Sequence, residues 1–340
     1  GSALLVDYVL TITTSIAAAG DALFSFLPGE WAAAKLPFEA LTLVGLTTLN
    51  IRGVRESITL LLPVFIVFLV THVVVIFGGI LFHLADVPAT FAQVRTGYGE
   101  GMTALGAGGL LLLFARAYSL GGGTYTGIEA VSNGLPLMRE PRVRTANRTM
   151  LYMAVSLAIA SAGLLLCYLL WHVQLEPGKT ANASLLERMT AGVPFGKAFL
   201  VVTLASEGAL LVVAAQTGFI GGPRVLANMA VDPWVPHRFA ALSDRLTTQN
   251  GVLLVGASGL AALAYTSGAV SHLIVMYSIN VFLTFSLSMF GMLRHWLRQG
   301  GAPLRLRLRR TLLFGSGFVL CSTILVVTVL EKFTEGGWLT

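Results

Sequence analysis

Asp7, Thr11 and Ser15 recur at intervals of four residues in the first apolar stretch of the chain. This spacing stacks their side chains on one face of a helix, with Tyr8 and Thr14 at its border. A carboxylate, hydroxyls and a phenol offer only oxygen ligands, which hard cations select. The stripe therefore predicts a cation site. The alternative is a helix contact, because Ser and Thr also bond to their own helix or tie helices together.

The segment 121–129 carries a second group of such residues inside the apolar stretch Leu105–Val131. Its three consecutive glycines disfavour a regular helix, and Thr126 and Glu129 follow them. Irregular backbone at membrane depth persists where protein buries it or where it lines a watery cavity, and an acid there indicates a functional site. We therefore predict a broken helix beside a buried acid, as in secondary transporters. The predicted hinge is Gly121, Gly122 and Gly123. The alternative is a glycine-rich packing seam with Glu129 at the cytoplasmic boundary.

Glu207 is a second acid within an apolar stretch, 195–222. Three roles stay open for it. It faces the same cavity as the other polar residues, pairs with Arg116, or carries a proton.

Tyr277 lies in the apolar stretch 270–293. A buried Tyr needs a partner for its hydroxyl, so Tyr277 is a candidate ligand, gate or interface anchor. We expect the neighbouring Ser278 and Asn280 to hold helices together instead.

The composition identifies a membrane protein. Of the 340 residues, 55% are hydrophobic and 11% are charged, and that charged fraction is about half the value of a typical soluble domain. Apolar stretches long enough to span a bilayer recur. They predict an all-α membrane protein with no soluble domain and with one transmembrane domain over 1–340, which we expect to be a transporter domain because of the acid-bearing broken helix. The chain starts directly on a helix without an initiator methionine, so we expect it to be an internal piece of a longer protein. The predicted helices cover 2–27, 36–50, 57–84, 105–134, 149–173, 195–222, 251–267, 270–293 and 311–331.

The basic residues predict the orientation of these helices. Most of the 22 Lys and Arg residues lie in the alternate loops 50–56, 135–148, 223–250 and 294–310. The positive-inside rule places this set, with its Arg-rich loops 135–148 and 294–310, in the cytoplasm. The net charge of +6 is then a topology signal and a contact for lipid headgroups, and we expect no nucleic-acid partner.

One short motif also allows an intramembrane enzyme. Gly256-Ala-Ser-Gly259 has the look of a rhomboid protease nucleophile motif. The candidate bases would be His72, His83, His172 and His272. Small residues at this spacing are more typical of a helix seam. We therefore expect no enzyme, no catalytic residue and no cofactor. A non-transporting receptor would leave the acid-bearing broken helix without a purpose.

The chain resembles members of the amino acid–polyamine–organocation (APC) superfamily over nearly its whole length, and three longer motifs carry this resemblance. They are Gly123-Thr-Tyr-Thr-Gly-Ile-Glu-Ala-Val-Ser-Asn133, Arg139-Glu-Pro141 with the Arg-rich loop, and Gln216-Thr-Gly-Phe-Ile-Gly-Gly-Pro-Arg-Val-Leu-Ala-Asn-Met-Ala230 with Asp232 and Pro236. Within the superfamily the chain most resembles KUP-type potassium importers of the bacterial KimA-like branch. The resemblance implies a LeuT/APC-type fold of two inverted five-helix repeats plus two helices, with helices one and six broken. This chain would supply family helices three to eleven and the start of twelve.

The resemblance also implies individual roles. In KimA-like importers, potassium is held by an Asp–Tyr pair and two hydroxyls on helix three, by a Thr and a Glu on helix six, and by a Tyr on helix ten. The matching residues are Asp7, Tyr8, Thr11, Ser15, Thr126, Glu129 and Tyr277. An amino-acid or polyamine permease on the same fold is the alternative. It would bind its substrate on the broken backbones of helices one and six and would not need the oxygen-rich stripe.

These expectations combine into secondary active import of potassium at the cell membrane by alternating access, with spans such as 36–50 and 195–222 as the scaffold. Burial favours the protonated form of a carboxyl and a bound cation favours the carboxylate, so an acid in such a site can exchange a proton for an ion. The candidates for proton coupling are Glu129, Asp7 and Glu207. We expect potassium, protons and membrane lipid as partners, with a homodimer as one possible assembly.

Overall fold

The computed structural model describes residues 1–53, 58–121, 131, 135, 138–244, 247–299, 301 and 303–333, without the side chains of 58–60. Regular structure in these residues is entirely helical, with ten α-helices and three short 3-10 helices. The α-helices are α1 (Ser2–Phe24), α2 (Lys35–Ile51), α3 (Ile58–Phe82), α4 (Val87–Leu120), α5 (Arg142–Leu170), α6 (Ala181–Thr190), α7 (Gly196–Val231), α8 (Gln249–Thr266), α9 (Val270–Arg298) and α10 (Leu304–Lys332).

Eight segments within the described residues are long and apolar enough to cross a membrane. They are Ser2–Phe24, Gly29–Ile51, Leu61–Phe82, Leu84–Leu120, Arg142–Leu170, Gly196–Val231, Val270–Arg298 and Leu304–Lys332. The prediction of an all-α membrane protein is therefore confirmed. The helix α8 also forms where the sequence predicts one, but its 18 residues include the polar pair Gln249 and Asn250, and it is not among the eight.

The helix α4 differs most from its predicted bounds, because it begins at Val87 and not at 105. The segment 87–105 is polar and contains several glycines, so its sequence indicated a loop. The structure makes it helical, with Pro88 in the first turn, where a proline costs no hydrogen bond. Gly106, with φ 68° and ψ 175°, interrupts α4 with a kink, and the missing Cβ makes that backbone conformation accessible.

The short helix α6 between α5 and α7 is absent from the sequence prediction. Thr180 caps it by accepting a hydrogen bond from the amide of Ala183 at 3.2 Å. Leu185 and Leu186 are fully buried in an apolar cluster shared with α3, α5 and α7. The helix α6 is thus held against three longer helices.

Several helices continue beyond their apolar lengths. The helix α5 begins at Arg142 instead of 149, and α7 continues through Pro223 to Val231 instead of ending at 222. The apolar length of a helix matches the thickness of the hydrocarbon core of the bilayer, whereas the helical hydrogen bonds continue into the polar regions on either side. Many arginines of the predicted loops 135–148 and 294–310 consequently lie on the first turns of α5 and α10.

The helix α1 is central and packs against α2, α7, α8 and α9. Ile12 and Ile16 form a buried cluster with Leu43 of α2, Phe219 of α7 and Val255 of α8. Close packing of this kind holds membrane helices together, since lipid provides no hydrophobic force between them. The side chains of α1 are therefore held in fixed positions.

The two ends of the bundle differ in charge. One end gathers the start of α1 and the end of α7, where Gly1 contacts Met229. From the end of α7, the chain crosses to the opposite end in α8 and returns in α9, so the arginines at the end of α9 lie on the same side as the end of α7. We call this side the Arg-rich end. At the opposite end, Lys35 pairs with Asp21 of α1 and lies 3.6 Å from Glu39 of α2.

Candidate functional site

The oxygen-rich stripe of α1 faces the protein interior. Asp7, Thr11 and Ser15 are 4%, 1% and 8% exposed. A carboxylate is almost never buried to this degree without a partner or a bound ion. The spacing of four thus places three oxygen-bearing side chains in a buried row, as the sequence predicts for one face of a helix.

Asn280 of α9 has a side chain that reaches Asp7. Its amide nitrogen lies 3.4 Å from Asp7 Oδ1 and donates to the backbone oxygen of Ala3 at 2.9 Å. The expectation that Asn280 joins helices is confirmed, but its contact with the acid was not predicted. The expectation for Ser278 is wrong, because its hydroxyl donates to the carbonyl of Ile274 in the same helix.

Thr11 carries a buried hydroxyl oxygen that has no hydrogen-bond partner among the described residues. Thr14, at the border of the stripe, has the same property. Thr13 differs, since its hydroxyl donates to the carbonyl of Val9 at 2.9 Å. An unpaired buried hydroxyl destabilises the fold unless a ligand or water meets it. Thr11 is therefore available to coordinate an ion beside Asp7.

Tyr277 occupies the same α1–α9 interface as Asp7 and Asn280. It is buried and packs with Leu10 of α1 and Val281 of α9. The predicted residues Asp7 and Tyr277 are thus brought to one interface, with Tyr277 one helical turn from Asn280.

Tyr8 faces a different neighbour. Its ring lies against Gly221 of α7, and its Cβ is close to Gly222. Its backbone oxygen is close to Gly218. The structure therefore places the phenol of Tyr8 at the α1–α7 contact, next to the stripe and not on it.

The remaining predicted residues lie outside the described part of the chain. They are Thr126, Glu129, Gly122 and Gly123. Gly121 is described, and the regular helix α4 ends immediately before it, at Leu120. A Cβ at Gly121 would meet no described atom within 4 Å.

Glu207 belongs to a separate part of the molecule. Both of its carboxylate oxygens accept hydrogen bonds from the side-chain amide of Asn182 on α6. Along α7, its neighbour Gly208 contacts Leu23 of α1, whereas Gly221 contacts Tyr8. At 1.5 Å per residue these two levels are about 20 Å apart. Arg116 pairs with Glu331 at 3.3 Å, so Glu207 has other partners than the arginine considered from the sequence.

The small residues of the motif Gly256-Ala-Ser-Gly259 form a helix contact. Gly256 lies against Thr47, and Gly259 against Leu43, both on α2. This is the seam that the sequence left as the alternative to a protease motif.

The apolar helices and the buried polar face of α1 indicate a multi-pass membrane protein, and the family match identifies it as a membrane transporter. A family model described as "Amino acid permease" matches residues 1–333, and the chain belongs to this family of the APC superfamily. It is similar to "Potassium transporter KimA" of Bacillus subtilis (strain 168), with 33% identity over 304 residues. The matched region covers 88% of this chain and 48% of that protein. The chain thus spans about half the length of this relative.

Proposed function

We propose that the protein imports potassium ions by secondary active transport, with protons entering in the same direction. The observation that carries this proposal is the buried oxygen face of α1, where Asp7 lies near the amide of Asn280 and the hydroxyl of Thr11 has no hydrogen-bond partner within the described part of the chain. The similarity to a protein named as a potassium transporter supports the same substrate.

The proposed ligands act together on a partly dehydrated ion. Oxygens of Asp7, Thr11 and Ser15 replace part of the hydration shell, as carbonyl oxygens do in channels. Asp7 supplies the negative charge, because a buried cation without a counter-charge is strongly disfavoured. Tyr277 lies on the α9 side of this site, and Thr126 and Glu129 are assigned to it from the sequence alone.

Protons couple to the ion through the acids of the site. A bound cation favours the carboxylate form of Asp7 or Glu129, and burial favours the protonated form when the cation is absent. Either acid can therefore exchange a proton for the ion. In this proposal the Arg-rich end lies in the cytoplasm, and the segment of the broken helix moves against a scaffold that includes α2 and α7.

A second candidate function is the uptake of amino acids or polyamines. The description of the matching family, amino acid permease, favours it. One experiment separates the two candidates. The protein should restore growth of a potassium-uptake-deficient bacterium at limiting potassium and should not take up a panel of labelled amino acids. Amino-acid uptake without restored growth would reject the potassium assignment.

Substitutions of the two acids test the site itself. Glu129→Gln removes a titratable group and keeps its shape, so net uptake driven by a pH gradient should disappear. Asp7→Asn removes a negative charge, so it should chiefly weaken cation affinity. The control is Glu176→Gln, because this acid is exposed beside Lys179 and water screens it. Potassium or rubidium flux into proteoliposomes is the measurement. If both variants transport like the parent, the ion binds elsewhere.

A further inference from the structure

Four polar side chains from four helices meet within the apolar cluster under α6. Tyr168 of α5 donates its hydroxyl to Asn182 Oδ1 at 2.5 Å. Asn182 Nδ2 in turn donates to the two carboxylate oxygens of Glu207 at 3.1 and 3.0 Å. His72 of α3 approaches Glu207 from the other side, with Nε2 at 3.9 Å from Oε2. This group is distinct from the site on α1.

The protein holds Asn182 in place for this contact. It lies in the first turn of α6, which Thr180 caps. The amide of Thr180 also donates to the hydroxyl of Ser25 at 3.0 Å, and Leu185 and Leu186 are buried beneath the helix. The amide orientation is assigned by its partners, because the Tyr168 hydroxyl meets the oxygen and the carboxylate meets the nitrogen.

The hydrogen bonds also assign the tautomer of His72. Its Nδ1 lies 2.9 Å from the backbone oxygen of Phe68. A carbonyl oxygen only accepts hydrogen bonds, so Nδ1 carries a hydrogen. The nitrogen with a variable proton is therefore Nε2, which is the atom that faces Glu207.

This arrangement leaves room for one proton. If Glu207 is ionised and His72 is neutral, a lone pair on Nε2 faces a carboxylate oxygen, and a largely buried negative charge has no cationic partner among the described residues. One proton on either atom removes both problems. The side chains of His72 and Glu207 are 9% and 17% exposed, so bulk water screens the charge only weakly. The gap of 3.9 Å exceeds a hydrogen bond, and a small side-chain movement or one water closes it.

The other titratable groups on the surrounding helices have partners of their own. On α5, the thiol of Cys167 lies 3.6 Å from the carbonyl of Ile76. On α6 and α1, the pairs are Glu187 with Lys179, Arg188 with the carbonyls of Trp171 and His172, and Asp21 with Lys35. Among the described residues around Glu207, His72 is thus the group that can neutralise it by sharing a proton.

We propose that His72 and Glu207 together bind one proton and form a proton-transfer site of the transport cycle. Measured along the contact between α1 and α7, this site lies about 20 Å from the level of Asp7. A proton arriving from water binds Nε2 or the carboxylate, and it leaves to water again without any other bond change. This inference rests on the proposed function in one respect, namely that the proton is the coupling ion.

Two flux assays in proteoliposomes test the site. Rubidium counterflow at equal pH needs no net proton movement, whereas uphill rubidium uptake driven by a pH gradient does. In Glu207→Gln and His72→Gln, counterflow should stay within about twofold of the parent. Gradient-driven uptake should fall at least about tenfold, which is the fold-change that a typical coupling free energy produces. The matched control is Glu187→Gln on α6, which should leave both assays unchanged, because water screens this exposed partner of Lys179.

An infrared titration of the purified protein gives a readout that needs no cation. The parent should show a protonated-carboxyl signal that disappears in Glu207→Gln and titrates differently in His72→Gln. Parental gradient-driven uptake in both variants overturns the proposal, and so does loss of counterflow in folded variants. If Glu207→Gln does not fold, His72→Gln decides, because its amide can still donate to Phe68. A parent without counterflow rejects the potassium function, and the titration still tests the pair.

Discussion

The ring of Tyr8 on α1 lies so close to Gly221 on α7 that a methyl group at position 221 would overlap the ring. The contact continues at Gly218, where a Cβ would lie 2.7 Å from the backbone oxygen of Tyr8 and 2.5 Å from the side chain of Ile12. The two helices thus approach to near backbone contact beside the proposed ion site.

Gly221→Ala should therefore lower stability, because a rigid aromatic ring cannot move aside. Overpacking of this kind costs about 1–3 kcal/mol. The control is Gly78→Ala on α3, where a Cβ would meet nothing within 4 Å. That change should leave the free energy of unfolding the same or raise it by up to ~1 kcal/mol, because alanine is the better helix former. Thermal unfolding of the two variants in detergent measures the difference. Equal unfolding temperatures would contradict the close contact.

Thr11→Val should separate stability from ion binding. Valine keeps the shape of the side chain and removes a buried hydroxyl without a described partner. In the absence of potassium the variant should be as stable as the parent or more stable. Its affinity for potassium should fall, because one of the proposed ligands is lost. The matched control is Thr13→Val, whose hydroxyl donates to Val9 and which should leave potassium affinity unchanged. Binding calorimetry and thermal unfolding provide both quantities.

Asn280→Ala should weaken potassium binding although it replaces none of the proposed ligands. The amide of Asn280 orients Asp7 and joins α9 to α1. A typical hydrogen bond contributes about 1 kcal/mol. The contact with Asp7 is longer than usual at 3.4 Å, so we expect a loss of affinity of at most roughly fivefold. The control is Ser278→Ala, because the described hydrogen bond of the Ser278 hydroxyl lies within its own helix. If the two variants bind potassium equally well, Asn280 has no positioning role.

Replacing Gly121, Gly122 and Gly123 with alanine should favour a continuous helix by about 1 kcal/mol at each position. Transport should fall while expression and membrane insertion persist. Gly121→Ala alone separates helix regularity from packing, since a Cβ there meets no described atom within 4 Å. Rubidium uptake relative to the amount of protein in the membrane is the measurement. Full uptake by the triple variant would argue against a functional break.

The ion pairs of Lys179 predict that this lysine does not contribute to the pH dependence of transport near neutrality. Hydrogen bonds to Glu187 and then to Glu176 raise the pKa of the Lys179 ammonium above its ordinary value. A raised pKa stabilises the folded state fully below the unfolded pKa, and this stabilisation is lost as the pH rises through the folded pKa. Lys179→Met should therefore leave the pH profile of transport between about 5 and 8 unchanged. A shifted profile would show that this lysine takes part in transport.

Apolar length predicted nine of the ten α-helices found in the described residues, and residue spacing predicted the buried face of α1. The helix α6 escaped prediction because it is short and polar, and its burial depends on a cleft formed by α3, α5 and α7. The segment 87–105 escaped because its glycines and polar residues show no apolar period.

Contacts between distant helices could not be predicted in the same way. The approach of Asn280 to Asp7 joins residues 273 positions apart and depends on the rotation and register of two helices. The spacing placed Tyr8 at the border of the stripe but could not indicate that α7 lies on that side. For Glu207, the sequence left three roles open, and its bond to Asn182 required the position of α6.

The glycines of α7 have a mechanical consequence for the transport cycle. Gly208 receives Leu23, Gly218 receives Ile12 and Gly221 receives Tyr8, so α1 and α7 interlock along about 20 Å. Sliding along this contact would press these side chains against positions that are not glycine. The two helices therefore behave as one rigid unit. Asp7 of α1 and Glu207 of α7 keep a constant separation. Any coupling between them has to pass through groups that move relative to this unit, or through water.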